Sequence, residues 1–105
     1  MQSRRLKGVF QYFADYRRIV ERIKEIVLKY DPEAEVYVFG SVPRGKYTAL
    51  SDIDVLIVSD KKHLEYNIKV EVYRKFGDVP LELHYTDRNG LEKWYKRFID
   101  SLEEI

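Results

Sequence analysis

The stretch GSVPRGKYTALSDIDVLIV, residues 40–58, places two aspartates at the start of an apolar run that predicts a buried strand. Asp52 and Asp54 are two residues apart, so both carboxylates should project from the same face of that strand, residues 53–58. Such neighbours repel each other unless a cation lies between them, and magnesium commonly binds one or two carboxylates together with substrate phosphates. A D-x-D pair also occurs by chance, with Asp54 as an ordinary solvated residue.

The first half of this stretch has the composition of a phosphate-binding turn. Gly40 and Ser41 directly follow a predicted strand, Glu35 to Phe39. Glycine lets a phosphate approach the backbone because it has no Cβ, and the N–H groups of such a turn favour an anion. The Ser41 hydroxyl can donate a further hydrogen bond, and Arg44 or Lys46 can pair with phosphate charge. The sequence therefore predicts that a triphosphate and a cation meet here, as phosphoryl and nucleotidyl transfer require.

Helical patterns lie on both sides of this stretch. Apolar residues recur at helical spacing over residues 16–30, and Asp31-Pro32 ends that helix. Residues 6–13 fit a separate short helix, and residues 62–76 another that Gly77 stops. The apolar stripe of a last helix comprises Leu91, Trp94, Tyr95, Phe98, Ile99 and Leu102.

Val79 to Tyr85 predict a third strand with two candidate functional residues on its polar face. Because side chains alternate along a strand, Glu82 and His84 share one face, opposite Leu81 and Leu83. The order helix, strand, loop, strand, helix, strand, helix predicts an α/β (α+β) fold, with a small mixed β-sheet of three or more strands flanked by helices.

The composition restricts the chemistry and indicates one globular domain, residues 1–105. The chain has no cysteine and only two histidines, so a bound metal would be held by carboxylates, which favours magnesium or manganese.

The net charge is +1, and the basic excess in residues 1–24 favours a solvated helix face over a nucleic-acid surface. No apolar run has the length of a membrane span and no signal sequence is recognisable, so we expect a soluble, cytoplasmic protein.

The string from Gly40 to Val58 resembles the G-S … D-x-D signature of the DNA polymerase beta-like nucleotidyltransferase superfamily, and its minimal nucleotidyltransferase branch in particular. The agreement covers the glycine-serine pair, the arginine-glycine pair, the serine before the first aspartate and the apolar strand after it. The motif spans under a fifth of the chain, but the order of elements also fits. The resemblance implies a palm-like fold and an enzyme of the EC 2.7.7 type.

The resemblance also implies roles for individual residues. In the family, the serine turn contacts the nucleotide phosphates and the two aspartates bind magnesium, which assigns these roles to Gly40, Ser41, Asp52 and Asp54. Arg44 and Lys46 join the nucleotide-binding set. A third carboxylate completes the catalytic and metal site, and the candidate is Glu82, where many relatives have aspartate. His84 lies on the same predicted face, and two roles stay open for it: contact with the substrate, or an ordinary place at a sheet edge.

The implied reaction is a magnesium-dependent transfer of a nucleoside monophosphate, AMP from ATP in the first instance, to a hydroxyl acceptor. Manganese or another nucleoside triphosphate would serve the same chemistry. Minimal nucleotidyltransferases are often paired with a helical HEPN partner, and some act as antitoxins that transfer AMP to it. The resemblance therefore implies a HEPN-like protein partner and a toxin-antitoxin role. Candidate interface residues are Phe10, Tyr12, Phe13 and Trp94, although such residues are more often core.

A second hypothesis is a non-catalytic binding module that sequesters a helical partner. The set of Gly40, Ser41, Asp52, Asp54 and Glu82 argues against it, because a purely structural role does not need crowded like charges. A nucleic-acid binder is a third hypothesis, and it depends only on the basic N-terminal region.

Overall fold

The computed structural model describes the backbone of residues 4–105 and the side chains of residues 8–97 and 99–105. In chain order the elements are α1 (Arg4–Ala14), α2 (Tyr16–Tyr30), β1 (Glu35–Phe39), β2 (Ile53–Val58), a 3-10 turn (Lys62–Leu64) that leads into α3 (Glu65–Lys75), β3 (Leu81–Thr86), α4 (Arg88–Gly90), a π-helical stretch (Leu91–Tyr95), α5 (Lys96–Phe98) and β4 (Glu103–Glu104). Residues 88–98 are called the C-terminal helical segment below.

The four strands form one mixed sheet in the order β3-β2-β1-β4. β1 is antiparallel to both β2 and β4, whereas β2 and β3 are parallel. The predicted class, a small mixed sheet with helices, is confirmed. β1 and β2 have the bounds that the sequence predicts.

One face of the sheet is covered by α1, α2 and α3. The apolar stripe of α2 is confirmed, with Ile19, Val20, Ile23, Ile26 and Val27 buried. These side chains pack against alternate residues of the strands, and Ile68 and Val72 of α3 complete this core. The members from the sheet are Val36, Val38, Ile53, Val55, Ile57 and Leu83.

The opposite face of the sheet carries a smaller core and leaves polar side chains beside it. Leu91 of the C-terminal helical segment packs there with four strand residues, Tyr37, Phe39, Leu56 and Val58. Because the side-chain period of a strand is two, Asp54 lies on this face of β2, next along from Leu56. β2 is therefore apolar on both faces except at Asp54, as its sequence predicts.

The C-terminal region differs from the prediction. The predicted helix continues to Leu102, but the helical segment ends at Phe98, whose side chain lies outside the described residues. The sequence predicts Trp94 on the apolar stripe, yet this side chain is 55% exposed, since Leu91 and Tyr95 make the contacts with the sheet. β4, which the sequence pattern does not predict, pairs with β1.

Other predicted positions are changed in smaller ways. The third strand begins at Leu81 and not at Val79, and it ends at Thr86. Phe13 is buried and Tyr12 packs against the core, so of the N-terminal interface candidates Phe10 is the exposed one, at 49%. The side chains of residues 1–7, including Leu6 of the predicted first helix and the basic Arg4, Arg5 and Lys7, lie outside the described residues.

Asp31 ends α2, as its position before Pro32 predicts, and it also joins α2 to the far end of β2. Its side chain is buried and accepts hydrogen bonds from the Ser59 hydroxyl (2.6 Å) and the Glu33 amide (3.1 Å). The Ser59 hydrogen bond, with a smaller contribution from Lys61, holds the pKa of Asp31 below its usual value. The buried carboxylate thus stays ionised.

Candidate active site

Three side chains of the kinds that can bind a metal ion lie together where β2 and β3 begin. Asp54 of β2 stands directly opposite Glu82 of β3, and His84 follows on the same face of β3. Nε2 of His84 is 3.3 Å from Oδ1 of Asp54 and 3.5 Å from Oε1 of Glu82. One ligand atom from each of the three residues lies within 4.8 Å of the other two, so the group could hold a metal ion.

The electrostatics of Asp54 favour a cation. Burial is the main cause that raises the pKa of Asp54, and the negative charges of Glu82 and Asp52 raise it further. The hydrogen bond with His84 acts in the opposite direction. A carboxylate that is half-buried beside two like charges gains stability from any bound divalent ion, because the ion offsets both costs.

Gly40 brings the turn after β1 into contact with this cluster. Its φ of +87° lies in the left-handed region, which other residues rarely adopt. A Cβ atom at this position would overlap Oδ2 of Asp54 and lie 3.3 Å from its Cγ. The absence of a side chain therefore allows the backbone of the turn to lie against the carboxylate.

The turn after Gly40 is closed by its own backbone. The amide of Lys46 donates to the carbonyl of Ser41 (3.0 Å), and Gly45, with a φ of +70°, donates to Val42 (3.0 Å). The buried Val42 side chain anchors the turn in the main core. The residues from 46 to 52 continue as a loop, so the turn leads into no helix whose N-terminus could add to anion binding.

The side chains of the turn are arranged for a polar ligand. The Ser41 side chain is half-buried, whereas Arg44 and Lys46 are both exposed. The turn thus offers a hydroxyl and two exposed positive charges, groups of the kinds that can pair with phosphate.

The structure brings only some of the predicted carboxylates together. Asp54 and Glu82 come together, whereas Asp52 precedes β2 and is outside the set that meets the 4.8 Å distance; its charge nevertheless acts on Asp54. His84 takes the third position in that set. In the sequence, the two-residue spacing between Glu82 and His84 predicts that they share a face of the strand. It does not predict that His84 approaches Asp54 on the neighbouring strand.

An open groove of about 640 Å³ lies on the outer side of α3, between Tyr66 and Tyr73. It lies in the helical layer that covers the other face of the sheet. It contains no cluster of carboxylates, and the turn after Gly40 does not line it. The candidate metal cluster therefore lies on the opposite side of the sheet from this groove.

The comparisons with known proteins agree with this fold. Residues 20–104 match the model of the family described as the nucleotidyltransferase domain. A crystal structure of a proposed nucleotidyltransferase is 35% identical over 82% of this chain and 96% of its own, with a TM-score of 0.67. A second such structure, from Sulfolobus solfataricus, is 22% identical, covers 99% of this chain and 87% of its own, has a TM-score of 0.54 and supports the fold alone. No curated protein matches the chain significantly.

The fold and these matches define a transferase that acts on nucleotides. The chain belongs to the nucleotidyltransferase family, and the matched segment, residues 20–104, has the size of a minimal nucleotidyltransferase of the polymerase beta-like superfamily. Within the described residues, no helix is both long and apolar enough to cross a bilayer.

Proposed function

We propose that this enzyme transfers AMP from ATP to a hydroxyl group of a helical protein partner, with magnesium as the metal. The observation that carries the proposal is the contact between Gly40 and Asp54, because it joins a phosphate-binding turn to a carboxylate of the metal-binding cluster. Triphosphate and cation would then share one site, which nucleotidyl transfer requires.

Asp52, Asp54 and Glu82 would hold the divalent ion. When bound, such an ion activates the attacking hydroxyl and offsets charge on the leaving pyrophosphate. Gly40 and its turn would accept the triphosphate close to the backbone. The Ser41 hydroxyl, Arg44 and Lys46 would donate hydrogen bonds to the phosphate oxygens, and the two cations would reduce the repulsion between phosphate and the carboxylates.

The reaction forms a bond between the acceptor oxygen and the α-phosphorus and breaks the bond from that phosphorus to the bridging oxygen of pyrophosphate. The acceptor proton needs a base, and Glu82 is suited to that role. Its side chain is 58% exposed, more open to an incoming acceptor than that of Asp54. A carboxylate within hydrogen-bond reach of the acceptor would take the proton as the new bond forms.

The acceptor is proposed to be a HEPN-like partner in a cytoplasmic toxin-antitoxin pair. Exposed aromatic side chains at Phe10 and Trp94 support a protein interface, since aromatic residues are enriched in such surfaces. Trp94 contacts Tyr95, whose ring is 6.3 Å from that of Phe39, so Trp94 lies on the same side of the sheet as the active site.

The direct test is incubation with ATP labelled at the α-phosphate, magnesium and a candidate HEPN-like protein. We expect the partner to gain the mass of one nucleoside monophosphate and the label. The double variant Asp52→Asn plus Asp54→Asn should lose transfer, while Asp100→Asn, an exposed aspartate outside the site, should retain it. Equal transfer by the double variant, or no transfer to any partner with any nucleotide, would refute the proposal. Partner binding that persists in the inactive double variant would separate sequestration from catalysis.

A further inference from the structure

His84 stands at a distance from the two carboxylates that suits a shared ion. Neighbouring ligands of an octahedral ion, bound at about 2.0–2.1 Å for magnesium, are separated by about 3 Å. The separations from Nε2 to Asp54 and Glu82, 3.3 and 3.5 Å, are a few tenths of an ångström larger. The three ligand atoms all lie within 4.8 Å of one another, so small side-chain movements would bring them onto one ion.

The imidazole ring is held in this position by the sheet. Phe39 of β1 packs against it, with ring centroids 5.0 Å apart and the planes at 53°. Phe39 itself belongs to the smaller core and contacts Tyr95 of the C-terminal helical segment. The ring of a metal-binding histidine needs such support, because its orientation decides whether a nitrogen lone pair reaches the ion.

The chemistry of a nitrogen ligand discriminates between metals. Magnesium prefers oxygen ligands and keeps several waters, so it gains little from imidazole that a water does not supply. First-row divalent ions bind imidazole more strongly, and manganese also accepts the carboxylates of this cluster. A site that adds an imidazole to its carboxylates therefore favours manganese more than a site with carboxylates alone.

We propose that His84 is a direct ligand of the catalytic divalent ion through Nε2, and that it makes this site prefer Mn²⁺ to Mg²⁺. The inference rests on the proposed function only in taking Asp54 and Glu82 as metal ligands. It assigns His84 a role distinct from substrate contact.

The decisive measurement is pulsed electron paramagnetic resonance of the full chain loaded with Mn²⁺, which detects coupling between the ion and a directly bound nitrogen. The chain has only two histidines, so the control is internal. We expect a histidine nitrogen signal in the wild type, its loss in His84→Gln, and its retention in His63→Gln, which changes the residue in the 3-10 turn. The same signal should survive addition of excess Mg²⁺ in the wild type.

Affinity provides a second measurement. By calorimetric titration, His84→Gln should bind Mn²⁺ at least about tenfold more weakly, with a much smaller loss for Mg²⁺, because water replaces the imidazole. Absence of nitrogen coupling in the wild type, or its persistence in His84→Gln, would overturn the inference. Equal losses of affinity for both ions would also overturn it. Transfer supported by Mg²⁺ would persist in each of these cases, so they leave the proposed function standing.

Discussion

Gly40 lies against the carboxylate of Asp54, so that a Cβ at Gly40 would overlap Oδ2 and stand 3.3 Å from Cγ. Gly40 directly follows β1, whose last residue, Phe39, is paired with Asp54 of the antiparallel strand β2. The conformation of a turn residue therefore sets the position of a candidate metal ligand. Any side chain at residue 40 must displace the carboxylate, the turn or both.

This contact predicts that Gly40→Ala and Gly45→Ala differ. Both glycines have positive φ, so alanine at either position costs about 1–2 kcal/mol in backbone strain. Only at Gly40 does the new methyl group meet another residue, since no atom lies within 4 Å of a Cβ at Gly45. We expect Gly40→Ala to weaken divalent-ion binding and nucleotide transfer strongly, measured by calorimetry and label transfer. Gly45→Ala should lose a similar amount of stability through backbone strain but retain the metal affinity. Equal metal affinities in the two variants would show that the contact is unimportant.

Asp54→Asn should make the protein inactive and, without metal, slightly more stable. Burial raises the pKa of the Asp54 carboxyl in the folded state. The ionised carboxylate therefore costs stability above that pKa, and the cost disappears as the pH falls and the group binds a proton. Opposed like charges across strands, here Asp54 and Glu82, cost up to about 1 kcal/mol. We expect Asp54→Asn to gain about that amount in urea unfolding at neutral pH with a chelator present.

Addition of a divalent ion should make the wild type more stable than Asp54→Asn. Ions that bind only the folded state raise the unfolding temperature of the wild type, whereas Asp54→Asn should respond little. Asp100→Asn serves as the matched control, with wild-type stability and a wild-type response. An Asp54→Asn variant that is less stable than wild type without metal would show that the His84 hydrogen bond outweighs the buried charge.

The main elements of the fold could be predicted from the sequence because each has a strong local cause. The stripe of α2 and the proline after Asp31 define that helix, and the apolar runs define β1 and β2. The C-terminal region could not be predicted, because its π-helical stretch changes the rotation per residue and so moves Trp94 off the stripe. β4 is two residues long and is held by distant partners, including the hydrogen bond from Tyr16 to Glu103 (2.8 Å).

The candidate site could be predicted only as separate pieces. Alternation along β3 places Glu82 and His84 on one face, and the D-x-D spacing does the same for Asp52 and Asp54. The register that sets Asp54 opposite Glu82 depends on how two strands pair across a long connection. Because no local pattern encodes that register, the approach of His84 to Asp54 could not be predicted from the sequence.

Asp31→Asn should destabilise the protein most at neutral pH. The pKa of Asp31 is lowered in the folded state, chiefly by the Ser59 hydrogen bond. Its stabilising effect is therefore fully present above the unfolded value of about 4 and is lost as the pH falls through the folded pKa. Loss of hydrogen bonds to a buried charge costs about 2 kcal/mol at pH 7. Urea unfolding of both proteins at several pH values should show the difference shrinking below pH of about 4. A difference that does not depend on pH would mean that shape, and not charge, makes Asp31 important.

Leu91→Ala should weaken both the smaller core and the active site. Leu91 is buried against Phe39, Leu56 and two further strand residues, so truncation should cost about 2–4 kcal/mol in the free energy of unfolding. Phe39 in turn packs on the ring of His84, and a cavity beside Phe39 lets that ring move. Mn²⁺ affinity, measured by calorimetry under conditions where the variant remains folded, should therefore fall as well.

Leu50→Ala, at a loop residue that is 81% exposed, is the control and should change the stability by no more than about 0.5 kcal/mol. A Leu91→Ala protein that is less stable but binds Mn²⁺ like the wild type would show that the smaller core supports the fold without positioning His84.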